Sequence, residues 1–124
     1  MAGREAVPVF TENFASNLEA LRDFLGTEGR LAFSHLLDRL FDDIIPALRR
    51  FPQSGRPFLD HPTRSLETEA RAKRLHALLQ PGDDLREFVL DEYILLYLRR
   101  GSRLIFLAVK HHRQLSFDLN QFWR

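Results

Sequence analysis

Leu85-Arg-Glu-Phe-Val-Leu-Asp-Glu-Tyr-Ile-Leu-Leu-Tyr-Leu-Arg-Arg-Gly-Ser-Arg-Leu-Ile-Phe-Leu-Ala-Val-Lys110 is the stretch that decides the fold. It holds three β-prone runs, Leu85 to Leu90, Tyr93 to Arg99 and Arg103 to Lys110, broken by Asp91-Glu92 and Arg100-Gly101-Ser102. Runs of Leu, Ile, Val, Phe and Tyr bounded by such polar or glycine-bearing breaks read as strands joined by turns. Connections this short admit only antiparallel neighbours, so the stretch is predicted to be an antiparallel meander. Its middle run, Tyr-Ile-Leu-Leu-Tyr-Leu, is apolar at odd and even positions alike. A strand of that kind belongs at the centre of a sheet, with helices covering one side.

Upstream of the meander the period changes. Val7 to Phe10 reads as a short strand that Pro8 confines to an edge or to the start of a ladder. Thr11 is a capping residue, and Phe14, Leu18, Leu21 and Leu25 then recur at helical spacing up to a stop at Gly26. In a second helix, Phe33, Leu36, Leu37, Leu40, Phe41, Ile44 and Leu48 form one apolar stripe opposite Asp38, Arg39, Asp42 and Asp43. Pro46 lacks an amide donor and crowds the preceding turn, so it is expected to kink this helix or begin its last turn. The run Phe51-Pro-Gln-Ser-Gly-Arg-Pro57 is dense in turn residues and is predicted to be an irregular connection. A further helix is expected from Arg64 to Gln80, capped by Ser65 and ended by Pro81-Gly82. With no repeat or linker, residues 1–124 are expected to form a single domain of the α+β class. Its expected order is an N-terminal strand, an α-helical hairpin, an extra helix and a three-stranded antiparallel meander.

A chain of 124 residues builds one core and not two. The apolar runs fall well short of the roughly 18 residues that a membrane-spanning helix needs. The N-terminus lacks the apolar block of a secretory signal, and there is no cysteine, so a cytoplasmic location is expected. His35, His61 and His76 lie on different elements without zinc-ligand spacing, and no His-Glu-x-x-His occurs; no metal and no cofactor are expected. The Gly-x-Ser-x-Gly elbow, the phosphate-cradling loop and the dinucleotide fingerprint are also missing, which removes hydrolase, kinase and dehydrogenase readings.

The net charge of +1 hides an asymmetry. Residues 93–117 carry Arg99, Arg100, Arg103, Lys110 and Arg113 with no acid among them. The last apolar strand runs straight into Lys110, His111, His112 and Arg113, which are predicted to sit at the rim of the sheet within reach of a polyanion or an acidic partner. Adjacent strand residues point to opposite faces, so His111 and His112 are not expected to share a ligand. Arg86 on the first meander strand and Arg56 in Gly-Arg-Pro are further candidates for that surface.

This order of elements resembles the RelE/ParE superfamily of type II toxin-antitoxin toxins. The resemblance rests on the Phe14, Leu18, Leu21 helix, on Leu40-Phe-Asp-Asp-Ile-Ile-Pro-Ala-Leu leading into Phe51-Pro-Gln-Ser-Gly-Arg56, and on Leu85-Arg-Glu-Phe-Val. It continues through Tyr93-Ile-Leu-Leu-Tyr97 to Leu104-Ile-Phe-Leu-Ala-Val with its basic His-His-Arg-Gln tail. The resemblance implies a βααβββ toxin of a plasmid stabilisation or addiction module, neutralised by a cognate antitoxin that docks in an apolar groove between the hairpin and the sheet. A homodimer or a hetero-oligomer with the antitoxin is implied as well.

Two activities are implied on that scaffold. RelE-like members are ribosome-dependent mRNA endoribonucleases, whose metal-free chemistry needs a base, an acid and cations around the phosphate. Arg113 matches the arginine at the end of the last strand in such toxins, with His112, His111 and Lys110 the remaining candidates. The position after Tyr93 that often carries Arg is Ile94, however, and the tail has Phe117 and Leu119 where a Tyr is usual. ParE-like members poison DNA gyrase and need a binding surface more than a catalytic array. That reading is the better match, with Arg56, Arg86, Lys110, His111, His112 and Arg113 as contacts to target or antitoxin.

Overall fold

The computed structural model describes residues 5–58 and 77–111. Strand β1 (Val7–Phe10) leads into helix α1 (Glu12–Leu25), a short 3₁₀ turn and helix α2 (Arg30–Asp38). A π-helical segment (Arg39–Ile44) joins α2 to α3 (Ile45–Arg50). Strands β2 (Arg56–Pro57), β3 (Asp84–Leu90), β4 (Tyr93–Arg100) and β5 (Arg103–His111) complete one sheet in the order β1-β5-β4-β3-β2. The predicted meander is thus the middle of a five-stranded sheet. β3 to β5 are antiparallel, whereas β1 joins the far side of β5 in parallel.

The apolar run Tyr93 to Leu98 is the central strand, as expected. Helices cover one face, where Leu21, Leu40, Leu48, Leu95, Tyr97 and Phe106 are fully or almost fully buried. On the other face Leu85, Leu96, Leu98, Leu107 and Ala108 form a second cluster, flanked by Phe58 and Leu79 from the two ends of the long β2–β3 connection. Each buried leucine side chain contributes about 1.5–3 kcal/mol of transfer free energy. A bulge in β5 shifts the register between Leu96 and Tyr97, so Leu107 and Ala108, though adjacent, belong to the same outer cluster.

Two expectations need correction. The Phe51–Pro57 connection is not wholly irregular: Arg56 and Pro57 pair with Glu87 and Arg86 as a fifth strand. A two-residue strand shows no periodicity in sequence, which is why it was invisible. The space between hairpin and sheet is also not an open groove, because Leu21, Leu40, Leu48, Leu95, Tyr97 and Phe106 fill it. The extra helix at 64–80 lies outside the described residues except for its last few positions, of which 77 and 78 are helical.

Pro46 disrupts its helix on the N-terminal side. Its ring crowds the carbonyl four residues back, and the chain responds by widening: the Ile45 amide donates to the Leu40 carbonyl, a spacing of five. At the other end of the hairpin, Thr11 caps α1 by accepting from the Phe14 amide at 3.1 Å. Its hydroxyl also reaches the Phe106 carbonyl at 3.1 Å, while Asn13 Nδ2 donates to the Leu107 carbonyl at 2.8 Å and Asn17 Oδ1 accepts from the Val109 amide at 3.1 Å. Polar side chains of α1 therefore continue the ladder along β5 where β1 ends. Buried backbone groups need such partners, and here a helix supplies them. The outer edge of β1 is blunted by Pro8: Val7 donates towards β5, so the missing Pro8 amide falls on the open side.

Candidate functional site

The predicted basic rim divides by strand alternation. Lys110 lies on the outer face opposite Ile94 and is half-buried. His111 turns to the helix face and is only 4% exposed, which corrects its expected place at an accessible rim. Its ring lies 3.0 Å from the Glu92 carboxylate, edge-on to Tyr93 at 5.2 Å and beside Phe24 at 5.3 Å. His112 and Arg113 lie outside the described residues.

Arg56 and Arg86 sit on opposite faces of the β2–β3 edge. Arg56 Nε donates to Glu87 across the strand pair at 2.5 Å, and the Glu87 carboxylate is buried while the arginine is 60% exposed. Arg86 faces the helix side. Its Nε donates to Asp84 at 2.8 Å and its Nη1 to the Gly55 carbonyl at 2.7 Å and the Gln53 carbonyl at 3.3 Å. The guanidinium thereby ties the loop after α3 to the sheet, in a planar fork that lysine does not reproduce.

Sequence reasoning missed the other half of that tie. Tyr97, wholly buried at the centre of the sheet, accepts from the Gly55 amide at 2.9 Å and donates to the Pro52 carbonyl at 2.7 Å. Burial pushes its hydroxyl pKa up, so it remains a neutral donor. Gly55 is required by the closeness of this approach: a Cβ there would meet the Glu87 carbonyl and the Tyr97 hydroxyl, each at 2.6 Å. The turn residues in Phe51-Pro-Gln-Ser-Gly were a legible signal of a bend, but nothing local connects them to a tyrosine some forty residues on.

The loop so fixed lines an open pocket of about 440 Å³ bounded by Arg50, Phe51, Gln53, Ser54 and Arg99. Phe51 is 67% exposed there. Arg50 shares the Glu5 carboxylate with Arg49 at 3.0 and 3.6 Å. Nearby, Arg100 grips Asp83 with two bonds of 3.0 and 2.8 Å. The Arg100 hydrogen bond holds the Asp83 carboxyl below the usual carboxylate range, outweighing burial, which acts the other way. A smaller pocket of about 240 Å³ lies between α2 and the β3–β4 turn, lined by His35, Leu36, Arg39, Asp91 and Tyr93, with Arg39 paired to Asp91. Asp91 has φ of 52°, the left-handed conformation that this two-residue turn requires at its first position.

Among the described residues no helix is long and apolar enough to cross a membrane, and no three His, Asp or Glu side chains are grouped as metal ligands. A search of curated proteins finds no match to the chain. The family profile described as the ParE toxin of the type II toxin-antitoxin system parDE matches residues 9–116. That span runs from β1 through β5 and covers most of the sequence. The chain belongs to the ParE toxin family of type II toxin-antitoxin systems.

Proposed function

We propose that this toxin arrests growth by binding DNA gyrase and not by cutting messenger RNA, and that an antitoxin segment neutralises it. The observation that carries the choice is the engagement of Arg86. A metal-free ribonuclease needs cations free to hold a phosphate as charge develops. The arginine of the first meander strand instead faces the helix side, bound to Asp84 and to two loop carbonyls. The outward positions of β3 and β4 are Leu85, Glu87, Val89, Ile94, Leu96, Leu98 and Arg100, and the cation among them, Arg100, is bound to Asp83. The buried, carboxylate-paired His111 is likewise poorly placed to donate a proton to substrate. For the antitoxin, the margin where β1 meets the hairpin supports docking: Phe10 and Phe41 are each nearly half exposed with ring centres 5.9 Å apart, and Phe10 stacks on Phe106 beneath. An extended or helical segment with apolar anchors fits such a margin.

The test is paired. Purified toxin is added to a gyrase supercoiling reaction and, separately, to ribosomes translating a defined message. Inhibited supercoiling with intact message is the expected outcome. Codon-positioned cleavage that disappears in Arg113→Ala would overturn the gyrase reading.

A further inference from the structure

The pocket at the Arg99 end of the sheet lies opposite the end towards which the sequence directs attention. β5 starts at Arg103 beside it and finishes at His111, so the two basic regions are separated by the length of the strand. Three side chains define the pocket. Phe51 presents an aromatic ring to solvent directly after α3, and Tyr97 and Arg86 hold the backbone of the loop that follows it. Arg99 is exposed at the end of β4, with no acidic partner among the described residues. Arg50 is 67% exposed, and its partner among the described residues, Glu5, is shared with Arg49. An exposed pair of that kind contributes little and exchanges readily. The two arginines and the shared carboxylate leave net positive charge around an open ring, with the polar Gln53 and Ser54 on the rim.

From this geometry we infer that the pocket binds a single nucleic-acid strand, with one base stacked on Phe51 and the flanking phosphates on Arg50 and Arg99. Guanidinium groups recognise phosphate through paired donors, and an exposed aromatic between cations is a stacking platform of the kind single-strand sites use. An acidic peptide would satisfy the charges, but apart from Phe51 and Pro52 the lining offers it no apolar groove. The inference is independent of the enzyme the toxin poisons.

The experiment measures fluorescence anisotropy of a labelled oligo-dT strand of about 12 nucleotides, within the span of single-strand sites. Full-length toxin is titrated in at low salt. The wild type binds, and binding weakens as salt rises. The Arg50→Glu, Arg99→Glu double variant loses at least about tenfold in affinity, and Phe51→Ala loses about fivefold or more. Phe51→Trp retains binding, and its added emission is quenched by the strand. The Arg22→Glu, Arg30→Glu double variant, an equal change of charge at exposed arginines of α1 and α2, alters affinity by no more than about twofold because only the general field changes. Absence of binding at low salt, an Arg50→Glu, Arg99→Glu variant no weaker than the Arg22→Glu, Arg30→Glu variant, or displacement of the strand by an equimolar oligo-glutamate peptide would each overturn the assignment. Loss of supercoiling inhibition is a separate readout, so failure here and failure of the gyrase proposal are distinguishable.

Discussion

On the helix-bearing face of the sheet, aromatic rings and directional hydrogen bonds share the interior; on the outer face the centre is aliphatic and the polar contacts sit at its margins. Phe10, Phe14, Phe106 and Tyr97 form a chain of rings 5.3–6.3 Å apart on the first face. Tyr97 anchors the loop after α3, while Thr11, Asn13 and Asn17 tie α1 to β5. The second face packs Leu85, Leu96, Leu98, Leu107 and Ala108, with the ion pairs Arg56–Glu87 and Asp83–Arg100 at its periphery. Apolar burial is non-directional and only keeps layers together, whereas hydrogen bonds fix how a helix or loop is oriented on a sheet. The helix face therefore positions the loop after α3, and the outer face contributes mainly cohesion.

The largest expected effect tests whether the outer face is a true core. Leu96→Ala should cost about 2–5 kcal/mol, as much as Leu40→Ala on the helix face, because both side chains are fully buried. Denaturant unfolding measures both, and a Leu96→Ala cost below about 1 kcal/mol would show that the outer cluster is only loosely covered. The directional contacts are probed next by Tyr97→Phe. Removing one hydroxyl strands the Gly55 amide and the Pro52 carbonyl, for an expected loss of about 1–3 kcal/mol. The same variant should weaken oligonucleotide binding, since the Phe51 platform depends on the loop; unchanged stability and binding would remove Tyr97 from both roles.

The smallest effect concerns the margin of the outer face. Asp83 has a depressed carboxyl pKa in the folded chain, so the stability it contributes is present above the unfolded carboxylate value near 3.9 and is lost as pH falls through the folded value. Asp83→Asn should lower the thermal midpoint modestly at neutral pH and flatten the decline on acidification below about pH 4. A variant whose acid decline parallels that of the wild type would show that other carboxylates govern it.

These comparisons separate what was legible in the sequence from what was not. Alternation and helical spacing placed β1, the hairpin and the three meander strands close to where they lie, because side-chain direction repeats every two residues in a strand and every 3.6 in a helix. The break in regular helix at Pro46 was equally legible, since its cause lies in one residue. Strand β2 was not, being too short to show a period. The parallel pairing of β1 with β5 and the bulge at Leu107 were hidden because each depends on which distant segment lies alongside.

At the site, the sequence alone established that basic side chains gather towards the end of the chain, that no metal-ligand motif is present, and that the order of elements resembles a toxin. Only the tertiary structure decided which of those cations are engaged. Arg86 meets a loop more than thirty residues earlier, His111 meets Glu92 and Phe24, and Arg99 comes to lie beside Phe51. Charge is a property of the residue and can be read along the chain. Availability depends on the partner that folding delivers, and that partner comes from elsewhere in the sequence.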